Sequence, residues 1–165
     1  MKHTISVLVE NHAGVLARVA GLFARRGFNI DSLAVGVTDD VNVSRITIVA
    51  DGSDYTLEQI EKQLNKLIDV IKVKTLAPEN MVSRELILIK VSCSAKQRSE
   101  IISICDLAHG KISDISANSI TIEISDSAQN LNNFEELLRP YGIKEIVRTG
   151  TIAIQKGEQA VYVRN

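Results

Sequence analysis

The amino-acid sequence predicts an α+β fold made of two consecutive βαββαβ sandwiches. Two observations support this prediction. Segments with alternating apolar residues, typical of strands, and segments with apolar residues every three or four positions, typical of helices, follow one another in that order. The same order then begins again after a proline-containing segment at residues 77–80. Each half should be an antiparallel sheet covered on one face by two helices.

The first strand and the helix after it are the clearest elements. Between Ile5 and Glu10 the strand pattern places aliphatic residues on both faces, which predicts a central strand. From Val15 the apolar residues take the helical spacing, with arginines on the other side. Gly27 is predicted to end this helix in the left-handed conformation.

A hairpin, a second helix and a fourth strand complete the first half. The hairpin strands are predicted at residues 32–37 and 44–50, on either side of a polar turn. The second helix should begin with Thr56 as its N-cap, because Gln59 three residues later completes a capping box. The fourth strand, at residues 70–76, alternates apolar and basic residues.

The second half repeats these elements. Its first strand, at residues 84–93, leads into a helix with Ser94 and Gln97 as a capping box and with Gly110 at its end. The remaining predicted elements are a hairpin of residues 111–117 and 120–125, a helix stopped by Pro140, and a last strand at residues 143–154 that is interrupted at Gly150.

This order is that of two tandem ferredoxin-like sandwiches, which we place at residues 1–76 and 84–165 with a linker at residues 77–83. The 165 residues include 19 basic and 20 acidic side chains, a balance that provides no basic surface for nucleic acid or an anionic membrane. No apolar run is long enough for a secretion signal or a membrane span. We therefore expect a globular cytoplasmic protein.

Cysteines and histidines do not form a recognisable metal or redox motif. Cys93 and Cys105 lack a CxxC spacing and are interpreted as core thiols, so that we predict no metal site. His12 has no acidic neighbour at a typical ligand spacing and is interpreted as a solvated loop residue. Nothing in the sequence pairs a nucleophile with a base, so we predict no catalytic residues.

The loop between the first strand and the first helix is the candidate binding site. A helix N-terminus presents unpaired backbone N–H groups, and Gly14 has no Cβ to keep a ligand away from them. These groups can hold a small carboxylate, while the amide of Asn11 can accept from an ammonium group. Such chemistry is typical of amino-acid binding. In the alternative reading, Asn11 and Gly14 merely shape a turn.

Other functions found on this fold lack their characteristic residues here. An RNA-recognition domain needs aromatic residues on its third strand, and residues 44–50 have none. A metal-transfer domain would carry CxxC in place of residues 11–14. A phosphate-ester hydrolase would need an arginine in that loop, whereas Arg18 lies a turn inside the helix. A regulatory amino-acid-binding module is the class that remains, with an enzyme as the alternative.

Residues 5–33, ISVLVENHAGVLARVAGLFARRGFNIDSL, resemble the ACT domain and in particular the start of the small regulatory subunits of acetohydroxyacid (acetolactate) synthase. The similarity continues through residues 38–40, 44–45, 57–64, 66–70, 84–86 and 148–150 and so extends over essentially the whole chain. It implies a non-catalytic subunit that binds the large catalytic subunit, activates it and confers feedback inhibition by valine, leucine or isoleucine in branched-chain amino-acid biosynthesis. Thiamine diphosphate, FAD and magnesium would belong to that partner and not to this chain.

The resemblance also implies the position of the effector, between the ACT domains of a homodimer. The residues carried over by position are Asn11, His12, Ala13, Gly14, Val15 and Leu16 of one chain and Asn29 and Ile30 of the other. The strand at residues 32–37 fits such a dimer, since this edge strand has no charge and no proline to prevent edge-to-edge pairing. Leu33, Val35 and Gly36 are the expected contact residues. In the alternative reading, a loop covers this edge.

Overall fold

The computed structural model describes residues 1–161 and contains nine strands and four helices in that range. The elements of the first half are β1 (Lys2–Glu10), α1 (Val15–Arg26), β2 (Ile30–Val37), β3 (Val43–Asp51), α2 (Asp54–Leu64) and β4 (Val70–Leu76). After a 3₁₀ turn at Pro78–Asn80 come β5 (Met81–Ser92), α3 (Arg98–Leu107), β6 (Lys111–Ile115), β7 (Ser119–Asp126), α4 (Ala128–Leu138), β8 (Ile143–Arg148) and β9 (Ile152–Gln155). The predicted βαββαβ order and its repeat are confirmed.

The first compact unit contains a four-stranded antiparallel sheet in the order β2-β3-β1-β4. β1 pairs with β3 from Lys2 opposite Asp51 to Glu10 opposite Val43, which confirms that β1 is a central strand. Both helices pack on one face of this sheet, because the apolar residues of the sheet and of the two helices fall on facing sides. The buried core residues are Ile5, Val7, Val9, Val15, Val19, Leu22, Phe23, Ile46, Ile48, Ala50, Ile60 and Leu64.

A segment from the end of the chain covers the opposite face of this sheet. Leu8, Val43 and Leu76 form a second buried cluster there with Ala153 and Val161. Residues 151–161 belong to the same compact unit as residues 1–83, and residues 84–150 form the other. The division predicted from the sequence had placed the whole chain from residue 84 in the second domain. The apolar outer face of the first sheet explains the difference, because burial of this face requires a covering segment.

Hydrogen bonds to the first unit hold the covering segment in place. The N–H of Thr151 donates to the hydroxyl of Ser32 over 2.7 Å, and the guanidinium of Arg45 donates to the carbonyl of Val161 over 3.0 Å. Farther along, the N–H of Lys156 donates to the carbonyl of Asn80 over 2.8 Å. Residues 77–83 are therefore not a free linker, since they contain a 3₁₀ turn and the start of β5 and accept a hydrogen bond from the covering segment.

The second compact unit has the strand order β6-β7-β5-β8, the same topology as the first sheet. Its core is formed by β5, β7, α3 and α4, with the buried residues Ile87, Ile89, Val91, Cys93, Ile101, Cys105, Ile120, Ile122, Ile124, Leu131, Phe134 and Leu138. Both cysteines are free and buried, which confirms that they are core thiols. Burial raises the pKa of the Cys105 thiol, and this keeps it in the unreactive protonated form.

Three helix ends differ from the prediction. The N-cap of α3 is Gln97, which makes no side-chain capping bond, and not Ser94. The N-cap of α2 is Ser53, whose hydroxyl accepts from the N–H of Thr56, so that the prediction of Thr56 as the N-cap was wrong by one turn. At the end of α3 the left-handed residue is His109, with φ 52°, and not Gly110. Gly110 is required by packing instead, because a Cβ there would lie 2.9 Å from Ile124 and 3.0 Å from the sulfur of Cys105.

Candidate functional site

The N-terminus of α1 has the open geometry that the sequence predicted. Gly14 occupies the N-cap position with φ 89°, a left-handed conformation that glycine adopts without strain, and no side chain caps the helix. A Cβ at Gly14 would have nothing within 4 Å, so the approach to the first turn is open. The unpaired N–H groups of this turn and the helix dipole together favour a small anion.

Asn11 ties this loop to the turn between β2 and β3. Its side-chain amide donates to the carbonyl of Val41 over 2.8 Å, and its backbone N–H donates to the carbonyl of Asn42 over 2.7 Å. The donor half of the amide is thus engaged within the protein, and the side-chain oxygen is the half that can accept from a ligand ammonium group. Asn11 both shapes the loop and offers an acceptor, so that the two readings of this residue are compatible.

His12 lies in a network of charged groups and is not simply a solvated residue. Its Nε2 lies 3.2 Å from a carboxylate oxygen of Glu10 and 3.1 Å from one of Asp69, while Nδ1 lies 3.2 Å from the carbonyl of Ala13. The hydrogen bond to Ala13, together with the Glu10 and Asp69 carboxylates, raises the pKa of His12. His12 is exposed, as the sequence interpretation expected, but it does have acidic neighbours, because Glu10 is two positions away and Asp69 approaches from another part of the chain.

Asp69 and Arg18 are the site-proximal residues that sequence reasoning missed. Asp69 immediately precedes β4 and is only 5% exposed, and its second carboxylate oxygen lies 2.5 Å from a guanidinium nitrogen of Arg18 in the second turn of α1. One signal in the sequence could have revealed it, since a single carboxylate stands between the apolar residues Ile68 and Val70. Buried carboxylates are rare unless they are paired.

Asn29 and Ile30 lie at the other end of the first sheet. Ile30 pairs with Ala50, near the start of β1, whereas the binding loop follows the end of β1. The eight residues of β2 separate these two places by about 25 Å, at roughly 3.3 Å per residue. Asn29 is exposed, and its amide donates to a carboxylate oxygen of Asp31 over 2.8 Å. One chain therefore does not bring the two predicted halves of the effector site together.

The strand β2 forms one edge of the first sheet, as predicted. Val35 and Val37 along it are 46% and 58% exposed, Leu33 is half-buried, and Gly36 is exposed. The strand begins earlier than predicted and so includes one charged residue, Asp31, whose carboxylate pairs with Lys2 at 3.0 Å. Beyond Asp31 the edge is apolar and uncharged, which leaves its backbone groups available for pairing with another strand.

A cavity of about 250 Å³ lies in the second unit, between α3 and α4. Its walls are mainly apolar and include Ile104, Leu107, Phe134 and Leu137. None of the predicted site residues lines it.

No helix in the described part of the chain is both long enough and apolar enough to cross a membrane.

Comparison with known proteins identifies both halves of the chain. Residues 5–72 match the model for the ACT domain of AHAS small-subunit-like proteins, and residues 84–157 match the model for the small subunit of acetolactate synthase. A probable acetolactate synthase small subunit of Archaeoglobus fulgidus is 50% identical over 96% of this chain and 99% of its own length. The acetolactate synthase small subunit of Mycolicibacterium smegmatis is 50% identical over 96% of this chain and 94% of its own length.

A solved structure supports the same relationship. The crystal structure of an acetolactate synthase small subunit from Thermotoga maritima superimposes with a TM-score of 0.90 and is 42% identical in sequence. The match covers 96% of this chain and 99% of the other. The resemblance inferred from residues 5–33 is therefore confirmed, and with it the tandem ferredoxin-like fold.

Proposed function

The chain belongs to the family of acetolactate synthase small subunits, and from this premise we propose that it regulates the synthase of branched-chain amino-acid biosynthesis. In this role it activates a large catalytic subunit and makes that subunit sensitive to valine. Thiamine diphosphate, FAD and magnesium bind to the large subunit, where the reaction takes place. This chain contributes the effector site and no catalytic group. Its cytoplasmic location stays a prediction.

The open N-terminus of α1 is the observation that carries the proposal. The valine carboxylate accepts hydrogen bonds from the uncapped first turn next to Gly14, and the ammonium group donates to the free side-chain oxygen of Asn11. The isopropyl group lies against Leu16, which is 43% exposed in the single chain. Burying that group contributes roughly 1.5–3 kcal/mol to binding.

The effector site is completed by a second copy of the chain. If two β2 strands pair antiparallel about a two-fold axis at their midpoint, the Ile30 end of one strand lies beside the Val37 end of its partner. Asn29 and Ile30 of one chain then approach the loop at Asn11 of the other, which removes the separation of about 25 Å within one chain. Such an arrangement creates two equivalent sites per dimer.

Reconstitution with the cognate large subunit tests the regulatory role. We expect the isolated chain to form no acetolactate, the mixture to turn over faster than the large subunit alone, and valine to inhibit only the mixture. Coupling of about 1–3 kcal/mol between effector and catalytic state is typical of such systems. Parallel titrations with leucine and isoleucine identify the effector. Acetolactate formation by this chain alone, or a large subunit that is indifferent to it at every ratio, would contradict the proposal.

A pair of lysine variants tests the dimer. Val35→Lys places a charge in the middle of the apolar edge, whereas Tyr55→Lys places one on α2, where Tyr55 is 71% exposed. In sedimentation equilibrium we expect a dimer for the wild type and for Tyr55→Lys, and weaker association for Val35→Lys. A monomeric wild type, or equal association of all three proteins, would exclude the shared site.

A further inference from the structure

Asp69 makes contacts with three parts of the binding loop. Its carboxylate lies 3.1 Å from Nε2 of His12 through one oxygen and 2.5 Å from the guanidinium of Arg18 through the other. Its backbone carbonyl accepts the N–H of Glu10 over 2.9 Å. The contacts reach the last residue of β1, the middle of the loop and the second turn of α1.

The burial of Asp69 increases the energetic importance of these contacts. The Asp69 side chain is 7% exposed, so that its charge is largely removed from water and depends on the two cationic partners for stabilisation. Glu10, which is 55% exposed at the side chain, depends far less on His12. Asp69 is therefore the fixed member of the network, and the loop and the helix are arranged around it.

The same groups do not favour a metal ion. One ligand atom from each of Glu10, His12 and Asp69 lies within 4.8 Å of the others, a spacing that a cation can bridge. However, the guanidinium of Arg18 already lies against Asp69 and would repel a second positive charge at this distance. The arrangement is that of an ion-pair network that fixes a loop.

We propose that Asp69 is the positioning residue of the effector site, which holds the loop through His12 and the N-terminal part of α1 through Arg18. The inference rests on the proposed effector site at this loop. The uncapped N–H groups bind a carboxylate only if the first turn of α1 and the Asn11 side chain keep a fixed separation, since misplaced donors lose much of their hydrogen-bond energy. Asp69 connects the loop that carries Asn11 to helix α1, through its contacts with His12 and Arg18.

The contact between Asp69 and the loop depends on the protonation state of His12. Both ring nitrogens face acceptors, Ala13 on one side and Glu10 and Asp69 on the other, and only the imidazolium donates from both. The groups that face the ring are Glu10 of β1 and Asp69 before β4, with Arg18 of α1 on the far side of Asp69. The pKa of His12 is raised, so that the charged form persists above the usual histidine range and is lost as the pH rises further.

Asp69→Asn tests the proposal, because it keeps the shape of the side chain and removes its charge. Glu58→Gln is the matched control, since Glu58 is an exposed carboxylate of α2 that pairs with Lys62 at 2.6 Å, one turn along the same helix. The Kd for L-valine is measured by calorimetric titration of each full-length protein at several pH values from about 6 to about 8.5. This range includes the unperturbed histidine pKa of roughly 6.5. NMR titration of the His12 ring in each protein gives its pKa without any ligand.

For the wild type and Glu58→Gln we expect equal valine Kd values that increase as the pH rises through the His12 pKa. For Asp69→Asn we expect a Kd at least about tenfold higher near pH 6, a flattened pH profile and a lower His12 pKa. A Kd within about twofold of the wild type, or an unchanged His12 pKa, would overturn the positioning role.

Two further outcomes separate this inference from the proposed function. If the wild type binds no valine, the proposed function fails, and the His12 titration together with amide hydrogen exchange of residues 11–18 still decides whether Asp69 holds the loop. If Asp69→Asn does not fold, His12→Gln removes the titrating group and keeps a hydrogen-bonding side chain. We expect this variant to bind valine more weakly with no pH dependence, and a wild-type profile in this variant would overturn the inference.

Discussion

Substitution of Gly14 separates the effector role that we propose for the loop from its structural role. Gly14→Asp places a carboxylate at the N-terminus of α1, where it can accept from the N–H groups proposed for the ligand. The left-handed φ of 89° costs a residue with a Cβ about 1–2 kcal/mol. No atom lies within 4 Å of the new Cβ, and a negative charge at a helix N-terminus returns about 0.3–1 kcal/mol. The net destabilisation is about 1 kcal/mol.

The effect on valine should be larger than the effect on folding. Loss of hydrogen bonds to a charged carboxylate costs about 1.5–3 kcal/mol, and repulsion between two carboxylates adds to it. Since about 1.4 kcal/mol corresponds to a factor of ten, we expect the valine Kd to rise at least about tenfold. Calorimetric titration measures the Kd, and thermal unfolding measures the stability, with about 4–8 °C in Tm for each kcal/mol in a domain of this size.

Gly27→Asp is the matched control at the other end of the same helix. Gly27 also has a positive φ, 66°, and open space around a Cβ. The strain of about 1–2 kcal/mol is the same, but a negative charge near the helix C-terminus adds to it instead of offsetting it. This variant should therefore unfold at a lower temperature than Gly14→Asp and yet bind valine more tightly than Gly14→Asp, because it leaves the first turn of α1 unchanged. Equal valine binding by Gly14→Asp and the wild type would refute the placement of the valine carboxylate at the N-terminus of α1. An equal loss of valine binding in Gly14→Asp and Gly27→Asp would show that helix stability alone controls binding.

Three further predictions concern other residues of the two units. Asn29→His removes an exposed amide at the other half of the site and should abolish valine inhibition of the reconstituted synthase, so an unchanged inhibition curve would exclude Asn29 from the site. Ser6→Ala should raise the free energy of unfolding by about 1 kcal/mol, because the Ser6 hydroxyl is fully buried and has no hydrogen-bond partner among the described residues. A lower stability of this variant in urea denaturation would show that the Ser6 hydroxyl does not destabilise the fold. Arg148→Ala should destabilise the second unit by about 3 kcal/mol, since it removes the cation that lies 2.9 Å from Glu135 and 3.8 Å from the buried carboxylate of Glu85, and an unchanged unfolding midpoint would show that these contacts contribute nothing.

Local patterns in the sequence were sufficient to predict the order of elements. The end of α1 at Arg26 and the left-handed Gly27 follow from apolar spacing and glycine chemistry, and both match the structure. The N-cap of α2 could not be chosen in this way. Ser53 and Thr56 are both good N-cap residues one turn apart, and their hydroxyls lie 3.1 Å from each other at the helix start.

Contacts between distant parts of the chain were beyond such patterns. The open N-terminus of α1 could be predicted because Gly14 and the helix are adjacent in sequence. The ion pair between Arg18 and Asp69 joins residues 51 positions apart, and its existence depends on how β4 is placed beside β1. The predicted domain boundary differs from the structure for the same reason, since the partners of Ala153 and Val161 lie near the beginning of the chain.

The covering segment also determines the order in which the chain can acquire its structure. A ribosome that has produced residues 1–83 has released every strand of the first sheet but not the residues from Thr151 that bury its outer face. Until these emerge, Leu8, Val43 and Leu76 face water in the nascent chain, where exposed apolar surface recruits chaperones or other nascent chains. The second unit, residues 84–150, is contiguous and has no such delay. We therefore expect the second unit to complete its folding first, although its synthesis begins later, and the first unit to become resistant to protease only after the whole chain has been released.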